Sequence, residues 1–343
     1  MREEAVHSNN DRYATLGVAT HIYVISLPRR DDRRIQMEWI RRTQNITWRV
    51  LDAIDSDDPV VVSIMDGVAR ERSRYPAPEF HWPSDINALS LSSVPISASV
   101  AEPWDALTSD TSLTPQAFFN ASATYGNLTC ASGDTSIPDY SSTLPDYKLL
   151  TPAKVACWYS HVHAIRTFVE RNALTTNGVA VYLEDDIDLD KNIRHHLKDL
   201  WPSLPAGWDI VFLGHCWSNE SHHAALSTSR FFSDGDDSEP AADGAVHRLH
   251  PSRAPKCSHG YVLSLAGARR LLLHLSYPPF AYSRAFDQAV AWLVESGRLR
   301  SYSVVPSLVV QRKVASSDVS YGVGSSWREV LPDGVLSSGQ YSR

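Results

Sequence analysis

The stretch GVAVYLEDDIDLD, residues 178–190, constrains the fold more than any other. An apolar run leads straight into Glu184, Asp185, Asp186 and Asp188. A continuous apolar run of this kind is what a central parallel strand requires, because helices cover both of its faces. Side chains alternate along a strand. If the strand continues through the acids, Glu184, Asp186 and Asp188 share one side and Asp185 faces the other. Two ionised carboxylates ~5 Å apart repel by roughly 3 kcal/mol at an effective dielectric of about 20. Such a cluster needs a cation, protonation, or prompt exit into solvent. A hard divalent ion such as Mn²⁺ or Mg²⁺ meets the first need, since it prefers oxygen ligands and keeps positions open for phosphate. Ligands of open α/β sheets bind at the carboxyl ends of the strands, where these acids fall. The plainer alternative is a solvated acidic loop, with Asp190 and Lys191 beginning a helix.

The rest of the chain reads around this strand. HIYVISL (21–27) is a strand candidate, followed by a charged loop and a helical stripe of Ile35, Trp39 and Ile40. ITWRVLDAID (46–55) reads as a second strand ending in acids. Residues 83–147 are dense in Ser, Thr, Pro and Asp and read as a long insertion or flexible segment. In 150–172, Val155, Trp158, Val162, Ile165 and Val169 recur at helical spacing, with Thr151 or Pro152 at the start. A further helix is expected over 191–201 and a buried strand over 208–214. The acidic, irregular stretch 218–255 reads as a second insertion. Residues 259–275 read as strand then helix with Ser264 as N-cap, 286–297 as a helix closing on Gly297, and 301–311 as the last strand. Alternating strands and helices predict an α/β domain with a largely parallel central sheet. Residues 1–20 and 321–343 read as tails.

Composition excludes several classes. A net charge of −7 argues against a nucleic-acid binder, which normally carries a basic face. No window of about 18 apolar residues predicts a transmembrane helix, and the first twenty residues lack the apolar core of a secretory signal. There is no GxGxxG after a strand, no GxxxxGK[ST], no GxSxG and no HExxH. The four cysteines, Cys130, Cys157, Cys216 and Cys257, lack CxxC spacing and allow three pairings. Cys216 and Cys257 flank the second insertion. A disulfide there would pin the loop and require an oxidising compartment, and two buried thiols are the alternative. Sequons at Asn45, Asn120, Asn127 and Asn219 exceed the roughly two that chance gives. They point to the secretory lumen, with a cytoplasmic location as the alternative.

Five segments, taken in order, resemble glycosyltransferase family 25, which includes bacterial lipooligosaccharide galactosyltransferases and procollagen galactosyltransferases. IYVISLPRRDDRR resembles the family's opening strand and "NLxxRxxR" loop, with Ser26 where Asn is usual. LDAID resembles its "A-[VI]-[DN]" segment, and KVACWYSHVHAIR its "G-x-x-[GA]-C-x-x-SH" helix. VYLEDDIDL matches its "LEDD" metal motif, and CSHGYVLSLAGARRLL its "H-[GA]-Y-x-[IL]-S-x-x-GA" segment. FDQ and PSLVVQ…SSDVS follow as in the family's tail. The set spans residues 21–320, interrupted by the two insertions. The resemblance implies a single GT-A-like domain that transfers a sugar with inversion. The donor is usually UDP-galactose with Mn²⁺ (or Mg²⁺), and the acceptor is a hydroxyl on a glycan or protein.

On that resemblance, Asp186 is expected as a metal ligand, with Glu184 or Asp188 as second ligand or ribose contact, and Asp185 beside the donor. Arg29, Arg33 and Arg34 are candidates for phosphate contacts, guanidinium being suited to such oxygens, unless they are a solvated helix start. Asp55 is implied as a uridine contact, with a plain turn acid as the alternative. Ser160 and His161 sit mid-helix, as donor contacts or as packing residues. His259 is a candidate for the metal shell or a phosphate contact. Asp287 opens a helix, where it is either a dipole partner or the general base. Two other classes fit the acidic cluster: a non-catalytic sugar- or nucleotide-binding relative, and a metal-dependent phosphohydrolase.

Overall fold

The structure is a computed structural model that describes residues 14–74, 82, 127–131, 136–227, 246–312, 318–319, 327 and 329–337. The segments 83–126 and 228–245, which make up much of the two expected insertions and include the Asn120 sequon, lie outside the described residues. The other three sequon asparagines are all exposed.

Strands β1 (His21–Ser26), β2 (Arg49–Asp52), β3 (Val179–Glu184), β5 (Ile210–Phe212), β6 (Arg248–Pro251), β7 (Gly260–Ser264) and β8 (Ser301–Val305) form one sheet in the order β2-β1-β3-β7-β5-β8-β6. β1, β2, β3, β5 and β8 run one way, and β6 and β7 the other. The sheet is thus mixed and mostly parallel, compatible with a Rossmann-like α/β fold. A separate ribbon pairs β4 (Ile187–Leu189) with β9 (Val309–Gln311).

Alternation along β1 and β3 creates two cores. Tyr23, Ile25, Ala180 and Tyr182 face one side. There they meet α2 (Pro59–Arg74), α3 (Pro152–Arg171), α5 (Leu265–Ser276) and α6 (Phe286–Glu295). Ile22, Val24, Val181 and Leu183 face the other side, against α1 (Asp31–Thr43) and α4 (Ile193–Leu200). Helices on both faces explain why β3 reads as uninterrupted apolar sequence.

Helix α3 forms as its sequence demands. The Thr151 hydroxyl accepts the Lys154 N–H, Pro152 occupies the first turn, and the whole Val155–Val169 stripe is buried. The Ser264 cap accepts the Gly267 N–H at 3.0 Å. Gly267 is obligatory there for packing: a Cβ would lie 2.1 Å from the Asp209 carbonyl oxygen.

Several expectations are corrected. In α1 the buried residues are Met37 and Ile40, whereas Ile35 is 64% and Trp39 40% exposed. Helix α2 was not anticipated, because its β-branched start, PVVVSI, has strand character. The 46–55 segment pairs only over Arg49–Asp52. The 301–311 stretch is two strands in two sheets, β8 and β9, separated at Pro306. Strand β6 lies within the second expected insertion, with Leu249 buried. The packed body also extends past 21–320: Leu16 and Ala19 at one end, and Leu331, Val335 and Leu336 at the other, are buried.

Candidate functional site: an acidic edge of the sheet

The carboxyl ends of β1, β2, β3 and β5 and the amino end of β7 share one edge. β3 stops at Glu184, and Asp185 and Asp186 lie in a bend before β4 resumes. The period of two is therefore broken. Asp188 does not share a side with Glu184 and Asp186, contrary to expectation. Its Oδ1 accepts the N–H groups of Leu189 and Leu336, each at 2.9 Å, and its Oδ2 accepts the Ser337 hydroxyl at 2.8 Å. With its oxygens engaged this way and only 1% exposure, Asp188 ties down residues 334–337 instead of serving as a metal ligand beside Asp186.

Glu184 sits at the centre of the edge. Its Oε1 accepts the Ser258 hydroxyl at 2.7 Å and faces His161 Nε2 at 3.4 Å. The other ring nitrogen of His161 stands 3.0 Å from the Tyr261 hydroxyl, and the ring stacks on Phe286 with centroids 4.3 Å apart. Burial pushes the Glu184 carboxyl up, but the His161 imidazole and the Ser258 hydroxyl outweigh it and hold the group below its ordinary value. Asp186 goes the opposite way. Burial and the Glu184 and Asp185 charges, against Arg33 and the Gln311 amide, push its pKa up to about 7. Its oxygens are 3.2 and 3.3 Å from Gln311 Nε2 and 3.3 Å from Arg33. Two adjacent carboxylates with pKa values driven apart mark a functional-site candidate.

Asp287 stands in the first turn of α6 and faces the same edge. Its carboxylate accepts the N–H of Cys257 at 3.2 Å and of Gln288 at 2.8 Å. Burial raises its pKa, the two N–H groups oppose this, and the nearby Glu184 charge adds to the rise. With Cys257, Ser258, Tyr261 and Phe286 it lines a small cavity. Burial, with the Glu184, Asp287 and Asp186 charges adding to it, pushes the Cys157 thiol, one turn before His161 on α3, well above its ordinary value.

The arginines divide by role. Arg33 bonds Asp185 at 2.8 Å and lies 3.3 Å from both Asp186 and Asp318. Arg29 pairs with Asp55 and, at 2.9 Å, with Asp318. Asp55 also accepts the Ser56 N–H at 2.8 Å. Arg34 reaches the Ser26 carbonyl at 3.0 Å and Asp52 at 2.6 Å, and so braces the ends of β1 and β2. Ser160 Oγ donates to the Ala156 carbonyl at 2.7 Å and accepts the Ile54 N–H at 3.2 Å, a packing link between α3 and the segment after β2. The His259 ring turns toward β9, Nε2 lying 3.2 Å from the Val309 carbonyl oxygen, while its own carbonyl accepts the Glu184 N–H. Gly214 makes room for that ring: a Cβ there would fall 2.3 Å from Nε2.

A disulfide joins Cys216 and Cys257, the pair that flanks the second expected insertion, and leaves Cys130 and Cys157 as thiols. Cys257 has φ +66°, which L side chains rarely adopt. Cross-link and backbone conformation together aim the Cys257 N–H at Asp287 and the next residue, Ser258, at Glu184. Sequence reasoning overlooked Ser258, Gln311, Cys157 and Asp318. All four lie inside motifs already quoted, so position beside His259, at a strand end, one helical turn from His161 and in the SSDVS tail was the available signal. The ion pairs of Asp318 with Arg29, Arg30 and Arg33 are created only by folding.

Among the described residues, no three of the edge carboxylates and histidines bring ligand atoms within 4.8 Å of one another; only Asp190, His196 and His247, beyond the other end of β4, do so. No described helix is long and apolar enough to cross a membrane. No family model matches the chain, and no curated protein matches it in sequence. Fold and site define an α/β protein with an acidic, histidine-bearing strand edge.

Proposed function

We propose that the chain is a metal-dependent, inverting glycosyltransferase of the GT-A type. It moves a sugar, galactose in the first instance, from a UDP-sugar to a hydroxyl on a glycan or protein acceptor. One observation carries the proposal: Asp186 and Asp287 stand near Glu184 at the carboxyl edge of a mostly parallel sheet, with the proton affinity of Glu184 lowered and that of the other two raised.

The donor set at the edge is all oxygen and fits Mn²⁺ or Mg²⁺. Such ions are commonly held by one or two carboxylates plus substrate phosphates, so three convergent protein ligands are not required. Asp186 would hold the ion, with Glu184 beside it as second ligand or ribose contact. When bound, the cation supplies charge stabilisation to the departing diphosphate. Asp287, with its raised proton affinity and its carboxylate fixed by two backbone N–H groups, accepts the proton of the acceptor hydroxyl. His161 and Ser258 hold Glu184 in place. Arg33 partly offsets the charge of Asp185 and Asp186 when the donor is away.

Calorimetric titration of the full chain with a panel of UDP-sugars, with and without Mn²⁺, tests the proposal. Metal-dependent binding of one UDP-sugar is expected. Phosphatase activity with no affinity for any UDP-sugar would replace it with metal-dependent phosphoester hydrolysis.

A further inference from the structure

Beyond the end of β4 remote from the acidic edge, three side chains from separate segments converge. Asp190 follows β4, His196 projects from α4, and His247 immediately precedes β6. One ligand atom from each lies within 4.8 Å of the others. We propose that Asp190, His196 and His247 form a zinc-class divalent cation site, separate from the acidic edge and independent of the transfer chemistry proposed there.

The donor set is the first ground. Two imidazoles and one carboxylate suit a borderline cation such as Zn²⁺, whereas Mn²⁺ and Mg²⁺ prefer oxygen ligands. Geometry is the second. His196 Nε2 lies 3.5 Å from Asp190 Oδ1. Two ligands each about 2.0–2.1 Å from a tetrahedral zinc stand roughly 3.3–3.5 Å apart, so this pair needs almost no adjustment. The third ligand atom, from His247, lies within 4.8 Å of both.

Orientation is the third ground. His247 Nδ1 stands 2.8 Å from the Pro306 carbonyl oxygen. A carbonyl only accepts, so Nδ1 carries the proton and Nε2 of the neutral ring keeps its lone pair. Metal-bound histidines are commonly fixed by such a bond from the nitrogen that does not face the metal. Asp190 is fixed as well: its Oδ1 accepts the Asn192 N–H at 2.7 Å, and its own N–H donates to the Leu308 carbonyl at 3.0 Å. The His196 and His247 rings have centroids 4.4 Å apart, a spacing at which two imidazolium charges repel and a shared cation does not. Both rings are partly exposed, which leaves an entry path and a fourth position for water.

A cation here would tie α4, the start of β6 and the turn at 306–308 to the β4–β9 ribbon. The other end of that ribbon places Asp186 beside Gln311.

The test uses the full chain, stripped with chelator and exchanged into chelator-free buffer. Zn²⁺ is titrated by calorimetry, and Co²⁺ is added as a spectroscopic probe. The expected result is one equivalent of Zn²⁺ bound at micromolar or tighter affinity, visible Co²⁺ bands of a low-coordinate nitrogen–oxygen site, and a higher melting temperature with Zn²⁺. His196→Gln and His247→Gln should each weaken Zn²⁺ binding at least about tenfold. His195→Gln, at the exposed neighbouring position, should bind Zn²⁺ like the wild type. Circular dichroism of the metal-free variants separates ligand loss from misfolding. Absence of binding by the wild type, equal binding by the His196→Gln/His247→Gln double variant, or equal loss in His195→Gln would overturn the site.

Discussion

The Glu184 carboxylate and the His161 imidazole meet at the carboxyl edge of the sheet, Oε1 to Nε2 at 3.4 Å, with the Tyr261 hydroxyl 3.0 Å from the opposite ring nitrogen. Replacing the ring by Phe leaves the buried Tyr261 hydroxyl and the partly buried Glu184 carboxylate without this partner. His161→Phe should cost about 1–3 kcal/mol of stability, read as a lower urea midpoint. If Glu184 contributes to metal or donor binding, the same variant should weaken that binding as well. A variant as stable as the wild type would show that the pair is not formed in solution.

Asp186→Asn should behave in the opposite sense. Removing one of two apposed carboxylates relieves repulsion, so stability should hold or rise by roughly 1–3 kcal/mol, while Mn²⁺ affinity at the edge is lost. Paired urea denaturation and Mn²⁺ titration check this. A clear loss of stability would mean that the carboxylate is a structural partner of Gln311 and Arg33 instead.

His274 sets a pH dependence remote from the edge. Its ring is fully buried, packs against Trp82 and donates from Nδ1 to the Arg270 carbonyl at 2.7 Å. Burial, opposed by that bond and aided by the Arg298 and Arg270 charges, lowers its pKa from 6.5 to about 4. The unfolded chain therefore takes up this proton near pH 6.5 and the folded protein only near pH 4. The contribution is complete above pH 6.5 and is lost as pH falls toward 4, on the order of 3 kcal/mol in all. His274→Gln, which keeps a donor for Arg270, should flatten the stability–pH curve in that window. An unchanged slope would place the titration elsewhere.

The Cys216–Cys257 bond closes a sequence separation of 41 residues. Loop-closure entropy gives such a cross-link up to roughly 4 kcal/mol. The Cys216→Ser/Cys257→Ser variant should lose about 2–4 kcal/mol, measured by chemical denaturation. It should also loosen Asp287, which accepts the Cys257 N–H, and Ser258, the next residue, which donates to Glu184. Two free thiols by mass mapping of protein made in an oxidising compartment would contradict the cross-link.

Much of this edge was legible in the sequence because its signals are local. The apolar run into Glu184, the Val155–Val169 stripe and the Ser264 cap each state their structure in a few adjacent residues. Three features were not legible, each for a physical reason. Asp188 looked like a third edge acid, because nothing local reveals that β4 leaves the main sheet or that residues 334–337 return to meet it. The β-branched start of α2 hid a helix that tertiary packing of Val61 and Ile64 enforces. Asp318 reaches Arg29, Arg30 and Arg33 from almost the other end of the chain, a contact only the fold creates.

The most direct test of the transferase proposal is UDP release from UDP-galactose by the wild type, Asp186→Asn and Asp287→Asn, each with Mn²⁺ and with chelator. The expected result is turnover by the wild type only with Mn²⁺ and none by Asp186→Asn. Asp287→Asn should slow at least about a hundredfold while still binding UDP-galactose. Turnover that persists in chelator, or is undiminished in Asp186→Asn, would contradict a metal-held diphosphate at this edge.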